Sequence, residues 1–137
     1  MIFFQNSHGT LYKGDALWTL KNKIKTESVD LVLTSPPYNL GNSHHNNKKK
    51  IVCYADNLPE KVYQKKQVDV LQECFRVLKK EGSLFYSHKN RQKNLVSISP
   101  YLWLFKTDFV IKQEIVWINK GPNFDKIRFY PWTERVL

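Results

Sequence analysis

Residues 29–41 read VDLVLTSPPYNLG, an apolar and β-branched run that stops against a Ser-Pro-Pro-Tyr corner. Neither proline can donate a backbone hydrogen bond, and each locks its own φ. Each also pushes the residue before it away from helical geometry. A strand ladder cannot continue through such a pair, so the carbonyls of Ser35 and Pro36 are free to point out of a sheet. The Ser35 hydroxyl adds an acceptor, and the Tyr38 ring adds a flat face on which a base can stack. Two or three acceptors beside an aromatic platform suit an exocyclic amino group on a planar heterocycle. That nitrogen, in cytosine or adenine, is a poor nucleophile because its lone pair is delocalised into the ring. Acceptors that grip its hydrogens favour sp³ character and return the lone pair to nitrogen, which can then attack an electrophilic methyl group. Dipoles preorganised toward developing charge are the usual large contribution to catalysis. Reaching the group inside a duplex requires the nucleotide to leave the stack.

The flanking elements place this corner. Leu11 to Asp15 is a short candidate strand. Leu17, Leu20 and Ile24 recur with helical spacing behind Asp15, which stands where an N-cap belongs. Val29–Thr34 reads as a strand buried on both faces of a parallel sheet, so strand, helix and strand suggest one crossover unit. The polar run GNSHHNNKKKIVCYADN (41–57) is a loop. Asn57 and Pro59 open a helix whose stripe is Val68, Leu71, Phe75 and Leu78, with Gly82 as its stop. Ser83–Ser87 is a second short buried strand. Residues 90–106 are weakly helical, with Pro100 near a helix start, and Phe109–Ile118 alternates as a strand. The tail RFYPWTERVL looks like a turn entering a further strand. Alternating strands and helices make an α/β fold with a mostly parallel sheet and flanking helices. Such sheets take their ligands at the carboxyl ends of strands, which is where Ser35–Tyr38 lies.

Charge narrows the partner. Among 137 residues, 22 Lys and Arg oppose 12 acidic residues, leaving +10. That favours a polyanion, nucleic acid ahead of a membrane surface. Lys48, Lys49 and Lys50 are candidates for phosphate contacts, or equally a solvated charge run. Cys53 and Cys74 have neither metal-ligand nor disulfide-framework spacing. His44 and His45 have no ligand partners nearby, and no metal site is expected. No run approaches the eighteen or so apolar residues that span a bilayer, and the N-terminus lacks a signal-peptide pattern. The expectation is a cytoplasmic protein with no membrane partner.

The stretch VDLVLTSPPYN resembles motif IV of the amino-group DNA methyltransferases, which use S-adenosylmethionine. The resemblance runs on: GDALWTLKNKIKTESVDLVLTSPPYNLG is similar to that family's opening. LQECFRVLKKEGSLFYSHK (71–89) is similar to its next helix and strand, and EIVWINKGPNFDKIRFYPWTERVL (114–137) to its motif VIII region, including Trp117, Lys120 and Glu134. The order is that of the class whose catalytic half precedes its cofactor half. The resemblance implies a Rossmann-like S-adenosylmethionine-dependent methyltransferase fold over 1–137. It implies that Ser35 and the Pro36 carbonyl hold the target amino group, that Pro37 stiffens the corner and that Tyr38 stacks on the flipped base. Asn39 and Leu40 would shape the pocket wall on the DNA side, and Asp15 would lie near the adenosyl part, unless it serves only as a helix cap. Ser in the first motif position leans toward cytosine N4 over adenine N6. Trp117 and Trp132 could flank the pocket, although core packing is the expected role for both.

The family's Phe-x-Gly-x-Gly cofactor loop has no counterpart here, since Gly9, Gly14, Gly41, Gly82 and Gly121 stand far apart. The fold is therefore expected to be incomplete, with an open strand edge and exposed apolar surface. A chain of this kind is expected to lack methyl transfer on its own, or to be completed by a second polypeptide carrying the cofactor half. Two other readings stay open: a DNA-binding remnant without turnover, and methylation of RNA or of protein glutamine.

Overall fold

A computed structural model describes residues 1–41, 56–118 and 133–137. β1 (Ile2–Asn6) and β2 (Gly9–Tyr12) form an antiparallel hairpin. The Asn6 carboxamide oxygen accepts from the backbone N–H groups of His8 and Gly9 and closes its turn. The strand expected at 11–15 thus ends at Tyr12 and lies in a separate two-stranded sheet, so it forms no crossover with Val29–Thr34. Pairing across a tight turn closes a far shorter loop than pairing with a distant strand.

Helix α1 (Ala16–Lys23) begins as the sequence suggests, with the Asp15 carboxylate accepting from the Trp18 N–H at 3.0 Å. Its carboxyl end is tied to α2 (Glu60–Val77) by Arg76, whose guanidinium donates to the Leu20 and Ile24 carbonyls and to the Thr26 hydroxyl. A cation satisfying terminal carbonyls is a favourable helix end.

The central sheet has the order β3 (Val29–Thr34), β4 (Leu78–His88), β8 (Thr133–Val136), β7 (Ile115–Ile118). β3 and β4 are parallel, as expected, whereas β4/β8 and β7/β8 are antiparallel, so the described sheet is mixed. β3 is not buried on both faces. It forms an edge among the described residues, with Leu31 53% and Leu33 74% exposed. That is the open apolar edge expected of an incomplete sheet.

Gly82 does not stop a helix. α2 ends at Val77 and the chain enters β4 at once, the stretch from Leu78 to Ser83 of β4 passing only Val29 to Leu31 of β3. At this bulge a Cβ on Gly82 would sit 2.9 Å from Leu78 Cδ2, 3.0 Å from the Lys79 carbonyl and 3.1 Å from that of Val29. Close backbone approach, not helix termination, is why glycine stands here. Residues 90–106 are also not mainly helical. β5 (Arg91–Lys93) and β6 (Val96–Ile98) form a hairpin, turned by Asn94 and Leu95 at φ of 51° and 63°. Pro100 then opens the single turn α3 (Tyr101–Leu104). Of the strand expected over 109–118, only Ile115–Ile118 pairs; Phe109 and Ile111 pack on the core instead.

That core gathers Tyr63, Leu71, Tyr86, Ile98, Trp103 and Leu104 between α2, β4 and α3. It is polar at its centre. Trp103 Nε1–H donates to the Tyr86 hydroxyl at 3.0 Å, and Tyr86 donates to Gln67 at 2.8 Å. His88 is fully buried beside them, and burial pushes its imidazole down to about 4.

Two outcomes follow from this packing. Gly82→Ala should destabilise the chain by roughly 1–3 kcal/mol in urea unfolding, the usual cost of forcing atoms into a filled site; an unchanged midpoint would show that the bulge can yield. Between pH 6.5, the ordinary imidazole value, and about 4, the folded state carries fewer protons on His88 than the unfolded state. Stability should therefore fall with pH across that window, by roughly 3 kcal/mol, and level off below it. Urea midpoints from pH 7 to pH 4.5 measure the slope, and His88→Gln should flatten it.

Candidate active site

β3 delivers Ser35–Tyr38 at its carboxyl end, alongside the carboxyl end of its parallel neighbour β4. Ser35 is exposed and Tyr38 half-buried. The Tyr38 hydroxyl lies 3.3 Å from Glu134 Oε2 and 3.0 Å from Ser35 Oγ. A carboxylate can only accept, so the one phenolic proton of Tyr38 goes to Glu134. Ser35 must then donate to Tyr38. The hydrogen bonds run Ser35 → Tyr38 → Glu134, and the Ser35 oxygen is left with its lone pairs free. Glu134 reaches the corner because β8 pairs antiparallel beside β4.

The two prolyl carbonyls differ. Pro37 accepts from the Tyr63 hydroxyl at 2.8 Å. The Pro36 carbonyl takes no hydrogen bond from the described residues. The corner therefore keeps two open acceptors, Ser35 Oγ and Pro36 O, next to the Tyr38 ring. That ring meets the His88 imidazole at 4.7 Å between centroids, tilted by 43°, and the Lys89 ammonium lies 5.4 Å from its centroid. A separate hollow of about 400 Å³ is lined by residues such as Phe85, Phe109 and Leu137; none of Ser35–Tyr38 lines it.

The other candidates are placed as follows. Asn39 is buried at a φ of 56°, and its amide is taken up by the backbone N–H and carbonyl of Leu58 at 2.7 and 2.9 Å. With the Gly41 N–H bonded to the Asp56 carbonyl at 2.7 Å, it joins the chain on either side of residues 42–55. Asp15 has both carboxylate oxygens engaged, one by the Trp18 N–H and one by Lys66 at 3.4 Å. Those contacts, the Trp18 N–H above all, hold its carboxyl below the usual range. Trp117 was expected in the core but is 60% exposed, because nothing among the described residues covers that part of β7. Lys48, Lys49, Lys50, His44, His45, Cys53, Lys120 and Trp132 lie outside the described residues.

Beneath the corner is a group of side chains that sequence reasoning missed. Tyr63 Oη lies 2.8 Å from His88 Nε2 as well as from the Pro37 carbonyl. His88 Nδ1 lies 2.8 Å from the Lys89 carbonyl. Arg91, almost fully buried, stacks over Tyr63 at 4.6 Å and pairs with Glu60 at 2.7 Å in the first turn of α2. That carboxyl is held below its usual range despite its burial, chiefly by the hydrogen bonds from Arg91 and Gln64. Burial raises the Tyr63 hydroxyl well above the usual phenol value. The buried stripe of α2 is Tyr63, Gln67, Leu71, Cys74 and Val77, one face round from the stripe read off the sequence. Gln67 at its centre hides it from any hydrophobic count.

No helix among the described residues is long and apolar enough to cross a membrane. The N6/N4 model of DNA methylases matches residues 29–137. The DNA adenine methyltransferase YhdJ of Escherichia coli K12 is 34% identical over 114 residues, which cover 83% of this chain and 34% of YhdJ. The type II methyltransferase M.BglII of Bacillus subtilis is 42% identical over 76 residues, 56% of this chain and 18% of that protein. Among solved structures, the cytosine-N4-specific PvuII DNA methyltransferase superposes with a TM-score of 0.68 at 23% identity, over 93% of this chain and 47% of that one. A putative DNA modification methylase of Thermus thermophilus, TTHA0409, in complex with S-adenosyl-L-methionine, gives 0.62 at 22% identity over 90% and 49%. This chain thus spans about a third of YhdJ and about half of either solved structure. The matched residues include the corner at 35–38, its α/β scaffold and β8, and the chain belongs to the N6/N4 family of DNA methylases.

Proposed function

We propose that this chain is the catalytic-corner part of a site-specific DNA methyltransferase that methylates the exocyclic amino group of a flipped base, cytosine N4 in preference to adenine N6. The observation that carries the reading is the pair of open acceptors, Ser35 Oγ and Pro36 O, beside the Tyr38 ring. The two amino hydrogens donate to these oxygens, the base stacks on Tyr38, and the nitrogen lone pair is drawn out of ring conjugation. When the nitrogen gains a methyl group it must lose a proton. The directed bonds from Ser35 through Tyr38 offer that proton a route to the Glu134 carboxylate, each hydroxyl accepting one proton as it passes on its own.

S-adenosylmethionine would supply the electrophilic methyl group. The described residues do not form a complete holder for it, because Asp15, the one candidate, is committed to capping α1 and to Lys66. We therefore infer that the donor pocket is completed by a second polypeptide carrying the glycine-loop half, and that residues 1–137 alone do not methylate DNA. The exposed edge of β3, with Leu31 and Leu33 uncovered, supports such completion. Lys48, Lys49 and Lys50, with Lys89 at the rim of the corner, would meet phosphates; Asn39 acts as a brace rather than a direct DNA contact. Chromosomal DNA in the cytoplasm would be the substrate. A DNA-binding remnant without turnover is the competing reading, and the adenine specificity named for YhdJ is the reason to score both bases.

The test uses genomic DNA, which holds every possible target, and methyl-labelled S-adenosylmethionine. The 137-residue chain should transfer no label alone, and should yield N4-methylcytosine once the glycine-loop half of a family member is added. In that complex Ser35→Ala should lower the rate by about 10²–10³ with DNA binding kept. Glu134→Gln should lower it by about tenfold, somewhat less than a full general-base effect. Transfer by the chain alone, or a rate indifferent to Ser35, contradicts the proposal; N6-methyladenine as product would reverse the base assignment.

A further inference from the structure

The geometry points to Tyr63 and His88 as a buried positioning pair for Tyr38, acting on it from two sides. This rests on the reading of Tyr38 as the base platform.

The Pro37 carbonyl belongs to the peptide unit that leads into Tyr38. Its orientation fixes where the Tyr38 N and Cα atoms lie, and so the point from which the Tyr38 side chain departs, because a peptide unit is planar. Among the described residues that carbonyl takes its hydrogen bond from Tyr63, at 2.8 Å. The same hydroxyl touches His88 Nε2 at 2.8 Å, and the His88 ring lies 4.7 Å from the Tyr38 ring. One pair of side chains thus holds both the peptide that launches Tyr38 and a face of its ring. Ser35 and Glu134 engage only the outer end of the phenol.

The protons make Tyr63 the branch point. The Lys89 and Pro37 carbonyls can only accept, so the contact of Lys89 with His88 Nδ1 needs a proton on that nitrogen. A neutral imidazole then has none at Nε2, and the single Tyr63 proton serves both Nε2 and the Pro37 carbonyl. Removing that hydroxyl deletes the hold on Pro37 and leaves His88 Nε2 without its partner in one step, while the rest of the Tyr63 ring still packs on Trp103 and under Arg91.

The tyrosine-labelled 137-residue chain, with neither DNA nor methyl donor present, supplies the test by NMR. Tyr63→Phe should shift and broaden the Tyr38 ring resonances. Leu71→Val, which trims the same core without touching the corner, should leave them in place. Unmoved Tyr38 resonances in folded Tyr63→Phe, or equal movement in both variants, overturn the inference. Unsubstituted chain gives an independent reading that survives a variant's failure to fold. Its Tyr63 hydroxyl proton should exchange slowly and show NOEs to the His88 ring; a freely exchanging hydroxyl overturns the inference. Since no methyl transfer is measured, the result stands apart from whether the methyltransferase reading is right.

Discussion

Everything at the corner depends on how its few hydroxyl protons are spent. A Pro-Pro corner offers oxygens but has no amide N–H of its own to occupy them. Whether each oxygen is free or used is therefore decided by neighbours. Glu134 takes the Tyr38 proton, the Tyr38 oxygen takes the Ser35 proton, and this leaves Ser35 Oγ only lone pairs to offer a guest. Tyr63 spends its proton on the buried side, against Pro37 and His88, and Pro36 is left open. The division is between one carbonyl used for rigidity and one kept for a guest.

The scaffold serves that division. The parallel pairing of β3 with β4 puts the corner next to His88 and Lys89, and the antiparallel β8 brings Glu134 across from nearly 100 residues away. The polar heart of the core belongs to the same arrangement. Tyr63, Tyr86, Gln67 and Trp103 each have a partner, so a buried imidazole is tolerated without a charge. A satisfied polar network of this kind fixes orientation where a purely apolar core would permit rotation.

Several of these parts were legible in the sequence and others were not. β3 and its Pro-Pro stop could be read because an apolar run followed by two prolines has few other outcomes. Asp15 as a cap and Pro100 as a helix start follow from equally local rules. Gly82 was misread because a glycine after a helical stripe usually ends a helix, whereas here it admits three close neighbours inside a bulge. The β1/β2 hairpin went unseen because both strands are largely exposed and carry no clean alternation. Tyr63, His88 and Arg91 could not be found at all: they are single polar residues whose meaning arises only when α2, β4 and β5 meet.

The central claim is that two open acceptors beside a phenol ring select an exocyclic amino group. Chemical-shift mapping of the chain with deoxycytidine, and separately with thymidine, which lacks that group, tests it most directly. The account predicts shifts at Ser35, Pro36 and Tyr38 with deoxycytidine and clearly weaker ones with thymidine. Equal responses to the two nucleosides, or shifts confined to the hollow around Phe109 and Leu137, would contradict it.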